Sequence, residues 1–225
     1  MKNITLIIPA KNESESLPIV LNELKKYKYN INVVLHESDL KTINSINNYD
    51  LKIIYQKNKG YGDALIEGIN QCSTEYFCIF NADGSFDPKE ISHMFKKLNL
   101  ENLDFIFGSR YEKNAGSHDD TIITLLGNYI FSFIGKFFFK LTISDILYTF
   151  LIGKTNIAKK ISLISKDFSF CVELPIKLNN RGYKLGVYNC FERRRIAGKK
   201  KVNAFRDGML ILITMIKLYF TIKFF

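Results

Sequence analysis

Short runs dense in Ile, Val and Phe recur along the first half of the chain, and longer segments with apolar residues at helical spacing lie among them. The runs are "ITLIIPA", "INVVLHE", "LKIIYQ", "YFCIFNAD" and "DFIFGSRY", and the amphipathic segments cover about 14–27, 61–71 and 88–98. Strands that are apolar along their whole length must be covered on both faces, and helices between successive strands supply that cover. The pattern predicts an α/β fold with a mostly parallel central sheet flanked by helices. Farther on, 168–180 predicts another helix and "YKLGVYNCFERRR" a late strand. Ligands of such sheets bind beyond the carboxyl ends of the strands. The residues that follow each run therefore carry the functional weight: Pro9 to Glu13, His36 to Asp39, Asn58 to Asp63, Asn81 to Ser85 and Gly108 to Tyr111.

Within "FNADGSFDP", Asp83 closes an apolar run and precedes Gly84, where its carboxylate would project into the ligand crevice. A hard cation such as Mg2+ or Mn2+, bound by one or two carboxylates, can bridge phosphate oxygens at such a place. A turn-opening role explains Asp83 equally well. Asp87 reads more simply, as the cap of a helix that opens at Pro88. The formal charge of +10 calls for an anionic partner, whether nucleotide, lipid phosphate, membrane headgroup or nucleic acid. With 47% hydrophobic and 14% aromatic residues, the chain has the composition of a globular protein and not of a disordered one. The four cysteines, Cys72, Cys78, Cys171 and Cys190, and the three scattered histidines lack the spacing of a zinc site, so reduced thiols in a cytosolic compartment are expected.

Five segments, in order, resemble the motifs of the family-2 glycosyltransferases of the GT-A fold, within them the dolichol-phosphate mannose synthase-like branch. "IPAKNESESL" is similar to the opening I-P-A-x-N-E, "NKGYGDALIEGI" to N-x-G-x-G-x-A-L, "FNADGSFDP" to D-A-D-G-x-x-D-P, "FGSRY" to G-S-R, and "RIAGKKKVN" to R-x-x-G-x-S-K. The resemblance implies a GT-A (Rossmann-like) sheet and a nucleotide-sugar donor, with Pro9, Ala10, Lys11 and Glu13 near the base and ribose. It further implies that Glu37 accepts hydrogen bonds from the base, that Gly60 lets the backbone approach the nucleotide, and that Asn81, Ala82 and Asp83 lie at the diphosphate. Glu13 also suits a helix cap near Ser14. The family's first D-x-D acid is here Asn81, whose amide oxygen can still reach a cation but without charge, so the metal, Mg2+ or Mn2+, would rest on Asp83 and Asn81. Arg195 and Lys201 match the Arg and Lys of the late motif and would offset diphosphate charge, with Lys199 and Lys200 beside them. Further departures are His36 where the family has an acid, and Asp120 and Thr124 ahead of Asn128 where the lipid-phosphate branch has Arg and Ser.

The resemblance thus implies an inverting sugar transferase with Asp83, Arg110, Asp145 and Arg195 as its catalytic set. A polyprenyl phosphate acceptor brings its own anionic nucleophile, with Arg110 at its phosphate. A saccharide hydroxyl needs a base, for which Asp145 of "ISDILYTF" is the candidate. A catalytically inactive nucleotide-sugar-binding or scaffold protein is the alternative from another class. Nucleic acid is not expected, because the basic cluster lies beside an apolar tail.

That tail, "RDGMLILITMIKLYFTIKFF", and the stretch "TIITLLGNYIFSFIGKFFFKLTIS" change the character of the second half. The expected division is a transferase domain over 1–206, whose apolar stretch 119–142 suits either a soluble core or a membrane interface, and a C-terminal amphipathic, membrane-associating segment over 207–225. Lysines interrupt the tail, and its apolar length falls short of a bilayer span, so a shallow or in-plane anchor on an anionic membrane, at its cytoplasmic face, is expected. The N-terminus meets a proline and charges too early for a secretory signal and reads as a first strand.

Overall fold

A computed structural model describes residues 3–198 and 201–224. Seven strands form one sheet: β1 (Ile4–Pro9), β2 (Asn30–Leu35), β3 (Lys52–Tyr55), β4 (Tyr76–Ile79), β5 (Phe105–Ser109), β7 (Leu151–Lys154) and β8 (Leu185–Asn189). Their spatial order is β3-β2-β1-β4-β7-β5-β8, and all pair in parallel except β7, which runs antiparallel to both neighbours. A two-stranded ribbon joins β6 (Gly116–Ser117) to β9 (Phe191–Glu192). The predicted strands all form.

Side-chain alternation divides the core. From β1, Leu6 and Ile8 enter one layer with α1 (Leu17–Leu24) and α4 (Pro88–Leu100), while Ile7 enters the other with α3 (Tyr61–Asn70) and α7 (Phe170–Asn180). Asp87 caps α4 by accepting from the Lys89 amide at 2.9 Å, as its place before Pro88 predicts. Glycine at 60 opens α3 at φ +138, yet an added Cβ would lie 2.0 Å from the Lys166 carbonyl oxygen. Its close approach is thus to the 165–167 loop, which by itself requires a glycine at this position.

The short helices α2 (Leu40–Ser45) and α6 (Thr155–Lys160), and β7 itself, have no counterpart in the sequence prediction. At six, six and four residues they are too short for a periodic pattern, and β7 is fixed by pairing with Ile79 and Phe107, both far from Leu151 in sequence.

The apolar stretches form α5 (Ile122–Phe139) and α8 (Ala204–Phe224). One stripe of α8, with Ile211, Met215 and Leu218, packs with Ile146, Val172 and Ile176 in a third cluster. The helix begins before the expected division at 206 and is built into the domain.

Candidate active site

The strand β4 continues past its last ladder bond with alternating sides: Phe80 and Ala82 are buried, while Asn81 and Asp83 face outward on one side. Phe86 anchors the turn by stacking on Phe150 at 4.5 Å. Gly84 takes φ +82, a left-handed conformation that a side chain would strain. In that turn Asp83 Oδ1 accepts from the Ser85 amide at 3.0 Å and its hydroxyl at 2.7 Å. Its Oδ2 faces the Arg195 guanidinium at 3.6 Å, too long for a hydrogen bond.

The segment after β9 crosses the strand ends and completes the site. The Arg193 amide donates to the Ser85 carbonyl and the Ile196 amide to the Asp83 carbonyl, both at 2.8 Å. The Arg193 side chain is clamped on Glu23 at 2.8 and 2.9 Å. Arg195 donates to Asp119 at 2.9 and 3.3 Å; these bonds, with the charges of Asp83 and Asp119, raise its pKa further and keep it a cation. Lys201 reaches the end of β1 and pairs with Glu13. Lys199 and Lys200 lie outside the described residues.

Beyond β1, Glu13 is buried and accepts from the Ser16 hydroxyl at 2.5 Å. Its side chain thus takes the Ser16 hydroxyl, while its main-chain carbonyl accepts the Leu17 amide at the start of α1 at 2.9 Å. Pro9 and Ala10 end the strand beside it, and Lys11 is exposed. A cleft of about 90 Å3 lies between 12–16 and Ala197–Gly198. Glu37, the expected partner of the base, is exposed on the turn after β2. Asp39 instead turns toward this end, accepting the Asn12 amide at 2.7 Å and capping α2 through Thr42. Asp63 is buried and ties down Asn58 at 2.9 and 3.0 Å, a loop-shaping role.

Arg110 and Asp145, expected to serve the acceptor separately, meet each other. Arg110 Nε lies 2.8 Å from Asp145 Oδ2 and Nη2 3.0 Å from Oδ1, a bidentate pair on a carboxylate with 0% exposure. Nη1 adds Glu192 at 3.1 Å, and Asp120 lies 4.0 Å away. Burial opposes the charge on Arg110, but Asp145 and Glu192 outweigh it and raise its pKa. Burial likewise pushes Glu192 above the usual carboxylate range against the pull of Arg110. Two corrections follow. Asp145 has no free, accessible oxygen with which to act as a base, and Arg110, already facing three carboxylates, is poorly disposed to receive a phosphate.

The sequence reading missed Asp119, Glu192 and Glu23. The only local signal was for Glu192, a lone acid opening the basic run "ERRR".

Among the described residues no three His, Cys, Asp or Glu side chains are grouped so as to hold a metal ion by themselves. What the protein offers is an edge of two oxygen donors, the Asp83 carboxylate and the Asn81 amide. Among the described residues the Asn81 amide nitrogen makes a long 3.4 Å bond to the Ser85 hydroxyl, a weak hold that lets the side chain turn its oxygen toward Asp83. Hard oxygen donors of this kind fit Mg2+ or Mn2+ when phosphate oxygens complete the shell.

The family described as "Glycosyl transferase family 2" matches residues 5–162. An uncharacterized glycosyltransferase of Mycobacterium tuberculosis is 23% identical over 210 residues, covering 93% of this chain and 94% of its own. Among solved structures, the glucosyl-3-phosphoglycerate synthase of Mycobacterium tuberculosis with Mn2+, UDP and phosphoglyceric acid superposes with TM-score 0.73 at 12% identity, over 97% of this chain and 78% of that one. The mannosyl-3-phosphoglycerate synthase of Rubrobacter xylanophilus superposes at 0.72 with 11% identity, over 96% and 73%. The GT-A-like sheet is thereby shown.

Proposed function

The chain belongs to glycosyl transferase family 2 and is a nucleotide-sugar-dependent glycosyltransferase, and on that premise we propose that it loads a sugar onto a polyprenyl phosphate at a membrane surface. On this reading Asp83 and Asn81 would hold Mg2+ or Mn2+ at the donor diphosphate, and Pro9, Ala10, Lys11 and Glu13 would border the nucleoside. The metal, when bound, stabilises the negative charge that gathers on the departing nucleoside diphosphate. Arg195 and Lys201 contribute charge of the same sign from the segment that crosses the strand ends. Both hold carboxylates in the free protein, so the donor's phosphates compete with Asp119 and Glu13 for them.

The observation that carries the acceptor is the position of α5. Its exposed apolar face starts at Ile122, three residues past Asp119, the residue that holds Arg195 beside Asp83. A prenyl chain lying on that face would bring its phosphate to the edge of the site. A phosphate monoester is largely dianionic near neutral pH and attacks without a protein base. The enclosure of Asp145 agrees with this.

A second reading has support from the fold neighbours, one of which carries phosphoglyceric acid. A small phosphorylated acceptor would use a hydroxyl, and the half-buried Asp119 could serve as its base once a donor's phosphates had drawn Arg195 away from it.

The test offers the full chain, with Mn2+ or Mg2+, a panel of labelled nucleotide sugars and, in parallel, polyprenyl phosphate in detergent, phosphoglycerate and oligosaccharides. Label should enter the lipid fraction and should cease to do so in Asp83→Ala. Label confined to phosphoglycerate or to oligosaccharide overturns the lipid acceptor.

A further inference from the structure

We propose that the outward faces of α5 and α8 together form a docking surface for an anionic lipid bilayer, with both helices lying in the plane of the membrane. This goes beyond the acceptor reading, because such a surface binds lipid whether or not lipid is the acceptor.

The two helices lie side by side, with Gly208 against Phe131 and Tyr219 against Phe138 and Phe139. Each buries one stripe in the domain and turns another apolar stripe to solvent. On α5 the outward stripe includes Leu126, Phe133 and Phe137, the last two 66% and 69% exposed. On α8 it steps through Met209, Ile213, Ile216 and Phe220 at spacings of four, three and four. A contiguous apolar surface of this kind on a folded domain marks an interaction site.

Charge selects the partner. The exposed charged side chains on these helices and at the α5 C-cap are Lys136, Lys140, Arg206, Lys217 and Lys223, all basic, while Asp207 is buried. Lys136 and Lys140 each follow a stripe phenylalanine by three positions, and Lys217 lies between Ile213 and Phe220 on the outward side. Lysines so placed can lay their stems along the apolar surface and reach headgroup phosphates. A second copy of the chain fits poorly, because a two-fold interface would bring these lysines against their own kind.

Hydrogen bonds decide between lying and spanning. By length and composition α5 could cross a membrane. Its inner side, however, is pinned: Asn128 accepts the Leu147 amide at 2.9 Å, Ser132 accepts the Ile146 amide at 3.2 Å, and the Phe139 carbonyl accepts from Asn179 at 2.8 Å. A spanning α5 would break these bonds and carry Asn128 and Ser132 into hydrocarbon, where unsatisfied polar groups are costly. An in-plane helix keeps them and buries only the outer stripe.

The test is co-sedimentation of the full chain with phosphatidylglycerol-containing vesicles and with phosphatidylcholine vesicles, without donor or acceptor. The protein should pellet with the anionic vesicles and be released by high salt or an alkaline wash. Lys136→Gln and Lys217→Gln should each weaken partitioning about fivefold. Phe133→Glu with Phe137→Glu should abolish it, while the thermal transition stays unchanged because both side chains are exposed. Failure to pellet with anionic vesicles at low salt, or undiminished binding by the double variant, overturns the proposal. So does a lipid-free dimer that the double variant dissociates, and retention after an alkaline wash overturns the in-plane arrangement. A chain that binds vesicles yet glycosylates only water-soluble acceptors keeps this surface and loses the lipid acceptor.

Discussion

Two arginines at the edge of the sheet are each set among carboxylates, and they differ in what those carboxylates leave open. Arg110 binds Asp145 through two nitrogens at 2.8 and 3.0 Å and Glu192 through a third at 3.1 Å, with Tyr148 at 4.6 Å over its face. Arg195 binds Asp119 but stands 3.6 Å from Asp83, and its side chain is about twice as exposed, 21% against 11%. The first is a closed network that already holds more negative charge than positive, so another anion gains little there. The second has a loose contact that a diphosphate can replace. The two motif arginines are therefore set differently: Arg110 joins β5 to the loop before β7 and to β9, and Arg195 keeps one loose contact, with Asp83.

The contrast can be broken most decisively at Arg110. Arg110→Met leaves Asp145 and Glu192 buried without their cation and should cost about 3–5 kcal/mol of stability, the penalty for removing one partner of a buried pair. Denaturant unfolding measures it, and a wild-type midpoint would show that the network is not structural. Arg195→Ala should lower kcat by about 10²–10³-fold, as for removal of one group that stabilises developing charge. Its stability should change by about 1 kcal/mol or less, as for a partly exposed pair. If turnover survives and the fold does not, the roles assigned to the two arginines are exchanged. The smallest effect is expected at the metal edge. Asn81→Asp adds a second charged donor and should lower the Mn2+ concentration for half-maximal rate on the order of tenfold, since ligand charge tunes cation affinity. An unchanged Mn2+ titration would show that residue 81 does not face the cation.

The sheet and the positions of its strand ends were largely legible. Apolar runs such as "ITLIIPA" become strands because both of their faces are buried, and a parallel sheet lines up their ends, so the residues after them converge without further information. Legibility fell off where one residue of register mattered. The turn after β2 brings Asp39 to Asn12 and leaves Glu37 in solvent, a distinction that composition does not contain. It failed where the partner is distant. Arg110 and Asp145 read as two separate acceptor-side groups, and only the packing of β5 against the loop before β7 turns them into one ion pair.

The sequence by itself determined the sheet, the Asn81–Asp83 edge and the apolar character of the two segments that become α5 and α8, because strand periodicity, turn chemistry and hydrophobic burial act over a few neighbouring residues. Tertiary structure alone decided which charges cancel and which remain available, and which stripe of α5 and α8 faces the domain. Those outcomes depend on atoms brought within about 3–4 Å from positions dozens of residues apart, where Coulomb attraction and hydrogen bonding become strong enough to select a partner.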